Sequence, residues 1–483
     1  MPLIGIIRRD VSLKVFGEFV SRFMFLLFFF YLGRKLGSAD FGTLSLALSV
    51  PTILAVIFLD PGLCLAAIHM LVEEPQQATT IAGSILSAKL LMFLPFVLVL
   101  AVIRFVLGAR LPSLSLLLLG ALFTLFTAIL EYLSSVTNAY HRMDLEAFLK
   151  IVNRFLIVLL GMFAIWRGRV LAVLLSMALA TAISAIFAWL LLRSRLISIS
   201  LRWRFPTLKK AFHIGLPIAG TAILTAIYLK WDLLVLSYFN ISREQIGWYA
   251  GAFKIMEAFS AVPGILGAAL FPLMIQLRRQ DPKSLDRLLS ISVKSVVLFS
   301  LPIAASISLF SRFIITLVYG AEYLPGASVL AILIWCIVPM FLYFYLVFVN
   351  IAAGHAKYNF VVGCAALFAG LTANALLVPR IGYLGAAWAA LIANSTFALL
   401  TIWKVGKLFH NANIPAILLR SVASCAVMVV ALLLTPAAMP IQLLSGLLAY
   451  LIALVALGTL NTSDLSLALR LMQFRGQPQG QQP

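Results

Sequence analysis

Eight charged residues lie where the surrounding sequence is almost entirely apolar. In chain order they are Glu18, Arg22, Asp60, Glu131, Lys230, Asp232, Lys254 and Glu257. A charge at mid-bilayer costs about 2.5–3.5 kcal/mol on insertion scales, so such residues are kept where they face protein or water. The basic members, Arg22, Lys230 and Lys254, are suited to binding an anionic group. The five carboxylates are candidates for binding a coupling cation, H⁺ or Na⁺, because burial favours their binding of a proton.

Two pairs in this set combine opposite charge with helical spacing. Glu18 and Arg22 are four residues apart, and Lys254 and Glu257 are three apart, so each pair shares a helix face. Two interpretations remain open for such pairs. The charges either line a polar transport pathway or neutralise each other and fix only the helix packing.

The other charges have their own alternatives. Asp60 precedes a Pro-Gly step that can loosen a helix and free its carbonyl groups. Glu131, like Glu18, lies close enough to a predicted helix end to be interfacial, and Asp232 follows a tryptophan of the kind that marks membrane interfaces. Lys230 has a stem long enough to carry its ammonium group outward.

The elements that must position these residues are membrane-spanning helices. Of the 483 residues, 63% are hydrophobic and 11% are charged, whereas a soluble domain is about a quarter charged. Long continuous apolar runs indicate spanning helices and exclude a barrel of alternating strands. We predict fourteen spans, at 13–36, 42–71, 80–107, 113–137, 147–166, 170–192, 212–239, 247–277, 288–310, 324–350, 358–378, 383–404, 416–435 and 440–460.

The charge distribution predicts the orientation. An even number of spans places both termini on one side, and most of the 36 Lys and Arg residues fall on that side, including those of 193–211, those of 278–294 and Lys89. Basic loops mark the cytoplasmic side, so both termini are predicted to be cytoplasmic. The net charge of +20 then reflects topology and attraction to anionic lipids, not nucleic-acid binding.

The sequence does not indicate an enzyme. The longest polar loop, 193–211, is too short for a soluble catalytic domain, and no GxxxxGK(S/T), HExxH or Ser/His/Asp arrangement is readable. The four cysteines stand alone, so neither a metal nor another cofactor is expected. The first segment lacks a cleavage-site pattern and is interpreted as a retained span.

A weak internal repeat divides the chain. Phe41-Gly42, after the first span, corresponds to Ile246-Gly247, after the seventh. Parallel repeats of this kind form two lobes around an axis along the membrane normal. We therefore predict an N-lobe at 1–192, a basic cytoplasmic linker at 193–211, a C-lobe at 212–404, and two extra helices with a cytoplasmic tail at 405–483.

Five segments resemble, in order, the turns of bacterial polysaccharide and O-antigen flippases. They are LGSADFGTLSLA (36–47), NAYHRMDLEAFLK (138–150), QIGWYAGAFKI (245–255), LVYGAEYLPGASVLAIL (317–333) and LVPRIGYLGAAWAALIAN (377–394). Each contains Ala and at least one aromatic residue, four of them also contain Gly, and their order across fourteen spans makes the resemblance specific. That family belongs to the superfamily that also holds multidrug and toxic-compound extruders and lipid II flippases.

The resemblance implies a V-shaped bundle of two six-helix lobes plus two C-terminal helices, in the inner membrane of a bacterium. It implies gradient-driven movement of an isoprenoid-diphosphate-linked oligosaccharide to the periplasmic leaflet, with membrane lipids and other polysaccharide assembly proteins as partners. Tyr228, Trp231, Trp248 and Tyr249 are candidates for stacking on sugars or for an interfacial belt. The alternatives are a multidrug cation antiporter of the same superfamily and a membrane-embedded O-antigen ligase or polymerase.

Overall fold

The computed structural model describes residues 2–166, 169–280, 282–408, 414–435 and 439–459, and within these ranges it contains α-helices, short 3-10 turns and no strand. The α-helices are α1 Pro2–Leu36, α2 Ser38–Phe58, α3 Leu63–Glu73, α4 Ala78–Leu107, α5 Leu114–Ala139, α6 Met143–Ile165, α7 Val170–Arg195, α8 Phe205–Tyr238, α9 Arg243–Glu257, α10 Ala261–Gln280, α11 Pro282–Leu309, α12 Ser311–Tyr319, α13 Gly326–Leu333, α14 Ile337–Ala352, α15 Ala356–Ile381, α16 Tyr383–Leu408, α17 Ile414–Leu434 and α18 Met439–Ala456.

Each predicted span overlies one of these helices or two consecutive ones, which confirms the all-α polytopic fold. Ten described segments are long and apolar enough to cross a membrane. They are Ser38–Glu73, Pro75–Arg110, Leu114–Ala139, Met143–Ile165, Val170–Arg195, Ser284–Leu309, Gly326–Ala352, Ala356–Ile381, Tyr383–Lys407 and Met439–Ala456. The count of fourteen stays a prediction. The end of the last predicted span and the predicted cytoplasmic tail lie outside the described residues.

The basic segment between α7 and α8 is more helical than predicted. Its non-helical part is 196–204, because α8 begins at Phe205 with a proline in its first turn. Proline suits that position, since its missing N–H would have no partner there. Lys210 is therefore helical, and its ammonium group lies 2.5 Å from Glu74 and 3.7 Å from Glu73.

Contacts within the chain define two units. The first comprises the described residues of 1–258, 313–329 and 367–390. Its core is a continuous apolar cluster contributed mainly by α2 to α5, with part of α7. Tyr132 is fully buried there, and its hydroxyl donates to the Ala82 carbonyl at 2.8 Å, which satisfies its one polar atom.

The second unit comprises the described residues of 259–312, 330–366 and 391–459. Within it α10 packs on α14, with the Phe348 ring over the position of Gly267, and α11 packs on α17. The Tyr450 hydroxyl of α18 donates to the Leu298 carbonyl of α11 at 3.0 Å. The predicted division into two six-helix lobes stays a prediction.

The two glycines of the predicted repeat face each other where α2 crosses α9. A Cβ atom on Gly42 would overlap the Arg243 carbonyl and lie 2.8 Å from the Gly247 nitrogen. A Cβ atom on Gly247 would overlap the Ser38 carbonyl in return. Because these neighbours are backbone atoms, no side chain can move aside to make room. The repeat therefore marks a close helix crossing in the first unit.

Replacing Gly42 with alanine is expected to lower the free energy of unfolding by about 1–3 kcal/mol, the usual cost of overpacking. Thermal unfolding of the purified protein in detergent measures the effect. Gly406→Ala in α16 is the matched control, because open space surrounds that glycine and alanine favours a helix by about 0.5–1 kcal/mol over glycine. Equal unfolding temperatures for both variants would contradict the close crossing.

Candidate functional site

One face of α1 carries Glu18, Arg22, Phe25 and Phe29, which follow helical spacing. The Arg22 Nε atom donates to Glu18 Oε1 at 2.9 Å, so the first predicted pair forms. Glu18 Oε2 also accepts from Lys150 of α6 at 2.8 Å. The Arg22 side chain remains 57% exposed. One carboxylate thus holds two cations from different helices.

The face of α6 towards α1 continues this cluster. The Lys150 ammonium group lies 2.9 Å from Glu146 Oε1, and Glu146 is buried. One helical turn further along, the Arg154 guanidinium lies over the Phe25 ring at 4.0 Å from its centroid. Such a position is favoured by the negative face of the aromatic ring.

A second basic cluster joins α8 and α9. The Lys254 ammonium group donates to Glu257 Oε2 at 2.6 Å, so the second predicted pair also forms. Lys230 of α8 lies 3.7 Å from the other oxygen, Glu257 Oε1. These three side chains are only 19–27% exposed. Two ammonium groups share one carboxylate, which leaves one excess positive charge.

Two phenylalanines of α1 connect the clusters. Lys254 lies over the Phe29 ring at 4.7 Å from its centroid, and the Phe25 and Phe29 centroids are 4.7 Å apart in an edge-to-face arrangement. We call Arg154, Phe25, Phe29 and Lys254 the cation–aromatic row. The row brings cations of α6 and α9 onto one face of α1.

Asp60 belongs to a different centre, formed around a buried lysine. Lys89 of α4 is fully buried, and its ammonium group lies 3.3 Å from Asp60 Oδ1 and donates to the Leu59 carbonyl at 2.8 Å. That carbonyl is available because the chain breaks between α2 and α3 at Pro61-Gly62, where Gly62 has φ 76°. The placement of Lys89 among cytoplasmic loop charges is therefore wrong. It is a core residue that neutralises Asp60.

Asp232 lies among hydrogen-bond donors that carry no charge. Its Oδ2 accepts from the Tyr249 hydroxyl at 2.6 Å, and its Oδ1 accepts from Asn374 Nδ2 of α15 at 2.9 Å. Asn374 also donates to the Gly370 carbonyl, while its own Oδ1 atom is buried and accepts no hydrogen bond from the described residues. In the described part of the chain Asp232 has no salt bridge.

Glu131 is exposed on α5, and the charges of Asp60, Lys89 and Arg154 act on it. The structure thus brings Glu18 with Arg22, and Lys230 with Lys254 and Glu257. Asp60, Glu131 and Asp232 belong to neither of these two clusters. Their roles in binding and coupling stay predictions. The described residues contain no group of three or more His, Cys, Asp or Glu side chains placed to hold a metal ion.

Four of the resembling turns meet in the first unit. Glu322 accepts from both the amide and the hydroxyl of Ser38, each at 2.6 Å, and the Ser38 hydrogen bonds lower the pKa of Glu322. The Trp248 indole donates to the Glu322 carbonyl at 3.2 Å and its ring packs on Tyr383. Trp248 and the buried Tyr249 thus have partners within the protein, and their stacking on sugars stays a prediction.

Sequence reasoning missed four site residues: Lys89, Lys150, Arg154 and Asn374. Lys89 and Arg154 each lie well inside a predicted span, 80–107 and 147–166, and that position was the available signal. The charge distribution instead placed Lys89 among the cytoplasmic loop charges. Asn374 carried no signal, because asparagine is common in helices that pack on one another.

Several solved structures and a curated protein are similar to this chain. The lipid II flippase MurJ in an inward closed conformation superimposes with a TM-score of 0.77 at 18% identity, over 92% of this chain and 98% of that chain. An inward-facing multidrug resistance MATE family transporter of the MOP superfamily gives 0.62 at 14% identity, over 81% and 95%. A MATE transporter of Vibrio cholerae gives 0.56 at 15% identity, over 85% and 98%. The chain has the fold of these proteins.

An uncharacterised membrane protein of Methanocaldococcus jannaschii is 28% identical over 207 residues. The match spans 41% of this chain and 39% of that relative's length. The model of a family described as polysaccharide biosynthesis protein matches residues 7–278, more than half of the chain and the whole region that carries the charged clusters. The chain belongs to the polysaccharide biosynthesis protein family.

Proposed function

We propose that the protein is a flippase that moves an oligosaccharide carried on an isoprenoid diphosphate from the cytoplasmic to the periplasmic leaflet for surface polysaccharide synthesis. The observation that carries the proposal is the sharing of Glu257 by Lys230 and Lys254. One positive charge is left over in helices made mostly of apolar residues. The family and the fold of the lipid II flippase MurJ support the same direction.

The chemistry of such a substrate fits this excess positive charge. The diphosphate is anionic, the sugars are polar, and the polyprenyl tail is apolar. Only the head needs a polar pathway, since the tail can stay in the lipid. Buried cations lower the cost of bringing the diphosphate out of water, because charge-assisted hydrogen bonds to phosphate are about twice as strong as neutral ones.

A multidrug cation antiporter is the rival function, because MATE transporters share the fold. A binding region for cationic drugs requires surplus carboxylates. The α8–α9 cluster has the opposite balance, two lysines to one glutamate. Repulsion between these lysines and a cationic drug therefore favours the flippase.

Deletion of the gene separates the two functions. We expect a lipid-linked oligosaccharide to accumulate in the cytoplasmic leaflet, loss of surface glycan, and no change in sensitivity to cationic drugs. Complementation with the intact gene restores the glycan. Normal glycan together with increased drug sensitivity would support the antiporter instead. The proposed location is the cytoplasmic membrane with both termini in the cytoplasm, where other polysaccharide assembly proteins can receive the product.

For ion coupling we propose Asp232 from the five predicted carboxylates. Glu18, Asp60 and Glu257 each have a basic partner within 4 Å. Asp232 and Glu131 have none among the described residues, but Glu131 is exposed. The unused Oδ1 of Asn374 lies on a side chain already bonded to Asp232. Carboxylate and amide oxygens are the ligands that hard cations prefer. The arrangement suits a proton or Na⁺ bound at Asp232.

Asp232→Asn is expected to keep substrate binding and to remove the dependence of transport on the ion gradient. The amide keeps the size of the side chain and removes the charge that binds the cation. Transport into vesicles with and without imposed Na⁺ and proton gradients measures this. Glu18→Gln is the matched control, because Glu18 is already neutralised by Arg22 and Lys150. Retained gradient dependence in Asp232→Asn would exclude the assignment.

A further inference from the structure

Arg154 lies in α6, in an apolar candidate span, and its side chain is half-buried. We infer that Arg154, held against Phe25, binds the diphosphate of the substrate directly and makes the site selective for a diphosphate carrier over a monophosphate carrier. This inference rests on the proposed flippase function.

The partners of the neighbouring cations set Arg154 apart. Arg22 and Lys150 bind Glu18, and Lys230 and Lys254 bind Glu257. Arg154 makes no hydrogen bond or salt bridge within the described part of the chain. Its five N–H donors are therefore available to a ligand.

The ring of Phe25 explains how such a cation can be held. A cation over an aromatic ring is attracted by the negative face of the ring, and the attraction is stronger where the cation is desolvated. This contact uses the charge of the guanidinium and none of its N–H donors. At 4.0 Å from the ring centroid, Arg154 is fixed in position while its hydrogen-bonding edge stays unused.

The carboxylates near Arg154 do not occupy the place of an anionic ligand. Glu18 and Glu131 act on Arg154 through space, but neither approaches within salt-bridge distance of it. A half-buried charge without a hydrogen-bonded partner is costly, and an anionic ligand would remove that cost. A guanidinium group can donate two parallel hydrogen bonds to a phosphate, which an ammonium group cannot do.

The cation–aromatic row supplies the second contact that a diphosphate needs. Arg154 stands at one end, on Phe25, and Lys254 at the other, on Phe29. The two rings contact each other, so both cations are fixed on one face of α1. A diphosphate offers two anionic groups to these cations, whereas a monophosphate offers one. The difference between the two carriers is therefore the distinguishing measurement.

The test uses purified full-length protein in detergent and two probes, farnesyl diphosphate and farnesyl monophosphate. Affinity is measured by intrinsic tryptophan fluorescence and by the ligand-induced shift of thermal unfolding. We expect Arg154→Gln to weaken diphosphate binding at least ten-fold and monophosphate binding less. We expect Phe25→Leu to weaken diphosphate binding several-fold, and Arg154→Lys to give an intermediate loss.

Arg193→Gln is the matched control, because Arg193 also lies over an aromatic ring, that of Trp189, but at the exposed end of α7. It should bind both probes as the unaltered protein does. If Arg154→Gln does not fold, Arg154→Lys keeps the charge and still tests the two-bond contact. Unchanged diphosphate affinity in the folded Arg154 variant overturns the inference. Failure of the unaltered protein to bind farnesyl diphosphate overturns the proposed function itself.

Discussion

Lys254→Met is expected to reduce transport at least ten-fold, whereas Glu257→Gln is expected to leave substrate affinity unchanged or higher. The lysine removal neutralises the α8–α9 cluster, because Lys230 then faces Glu257 alone. The glutamate removal leaves both cations in place. A charge-assisted hydrogen bond contributes about 1.5–3 kcal/mol, which corresponds to the expected loss. Transport is measured in vesicles and normalised to folded protein.

The difference between these two variants distinguishes a role of Lys254 in substrate binding from a role in helix packing alone. If the two charges serve only each other, either single change should harm the protein equally and the double variant Lys254→Met/Glu257→Gln should repair both. Arg142→Met is the matched control, since Arg142 pairs with Asp144 at 2.9 Å in an exposed setting. An equal loss of transport in Lys254→Met and Glu257→Gln would refute the role of Lys254 in substrate binding.

Lys89→Met is expected to have the largest effect on stability, about 3 kcal/mol, the lower end of the usual cost of breaking a buried ion pair, because Asp60 is partly exposed. The change leaves Asp60 without its cation and the Leu59 carbonyl without its donor. Both lie at the break between α2 and α3, so we expect the protein to lose abundance in the membrane and to unfold at lower temperature.

The double variant Lys89→Met/Asp60→Asn should recover much of this stability, because an apolar side chain and a neutral amide leave no unpaired charge. Asp60→Asn alone should destabilise, since it leaves the buried ammonium group with only the Leu59 carbonyl. Normal stability of Lys89→Met with altered ion dependence of transport would instead make Asp60 a coupling residue, as the sequence pattern allowed.

Local geometry explains which site contacts were predictable. The pairs Glu18–Arg22 and Lys254–Glu257 follow from spacing within one helix, and both form. Contacts between helices do not follow from spacing. Lys150 reaches Glu18 across 132 positions, and Asn374 reaches Asp232 across 142. Such contacts depend on which helices pack together, and apolar composition alone does not determine that.

The fold was easier to predict than the site for the same reason. Length and hydropathy indicate a spanning helix directly, and the resembling turns indicated the family. The contacts between these turns could not be predicted from the sequence, because Ser38 and Glu322 are brought together only by the packing of the first unit. The burial of Lys89 in α4 was not predictable because its partner, Asp60, lies at the break between two other helices, α2 and α3.

Reconstitution into lipid vesicles tests the central claim most directly. A fluorescent oligosaccharide on a polyprenyl diphosphate is placed in both leaflets, and a membrane-impermeant glycosidase measures the accessible fraction over time. We predict that vesicles containing the protein expose the inner-leaflet pool, that Lys254→Met vesicles do so at least ten-fold more slowly, and that protein-free vesicles do not. An inner-leaflet pool that stays protected in the presence of folded protein, under imposed proton and Na⁺ gradients, would contradict the claim.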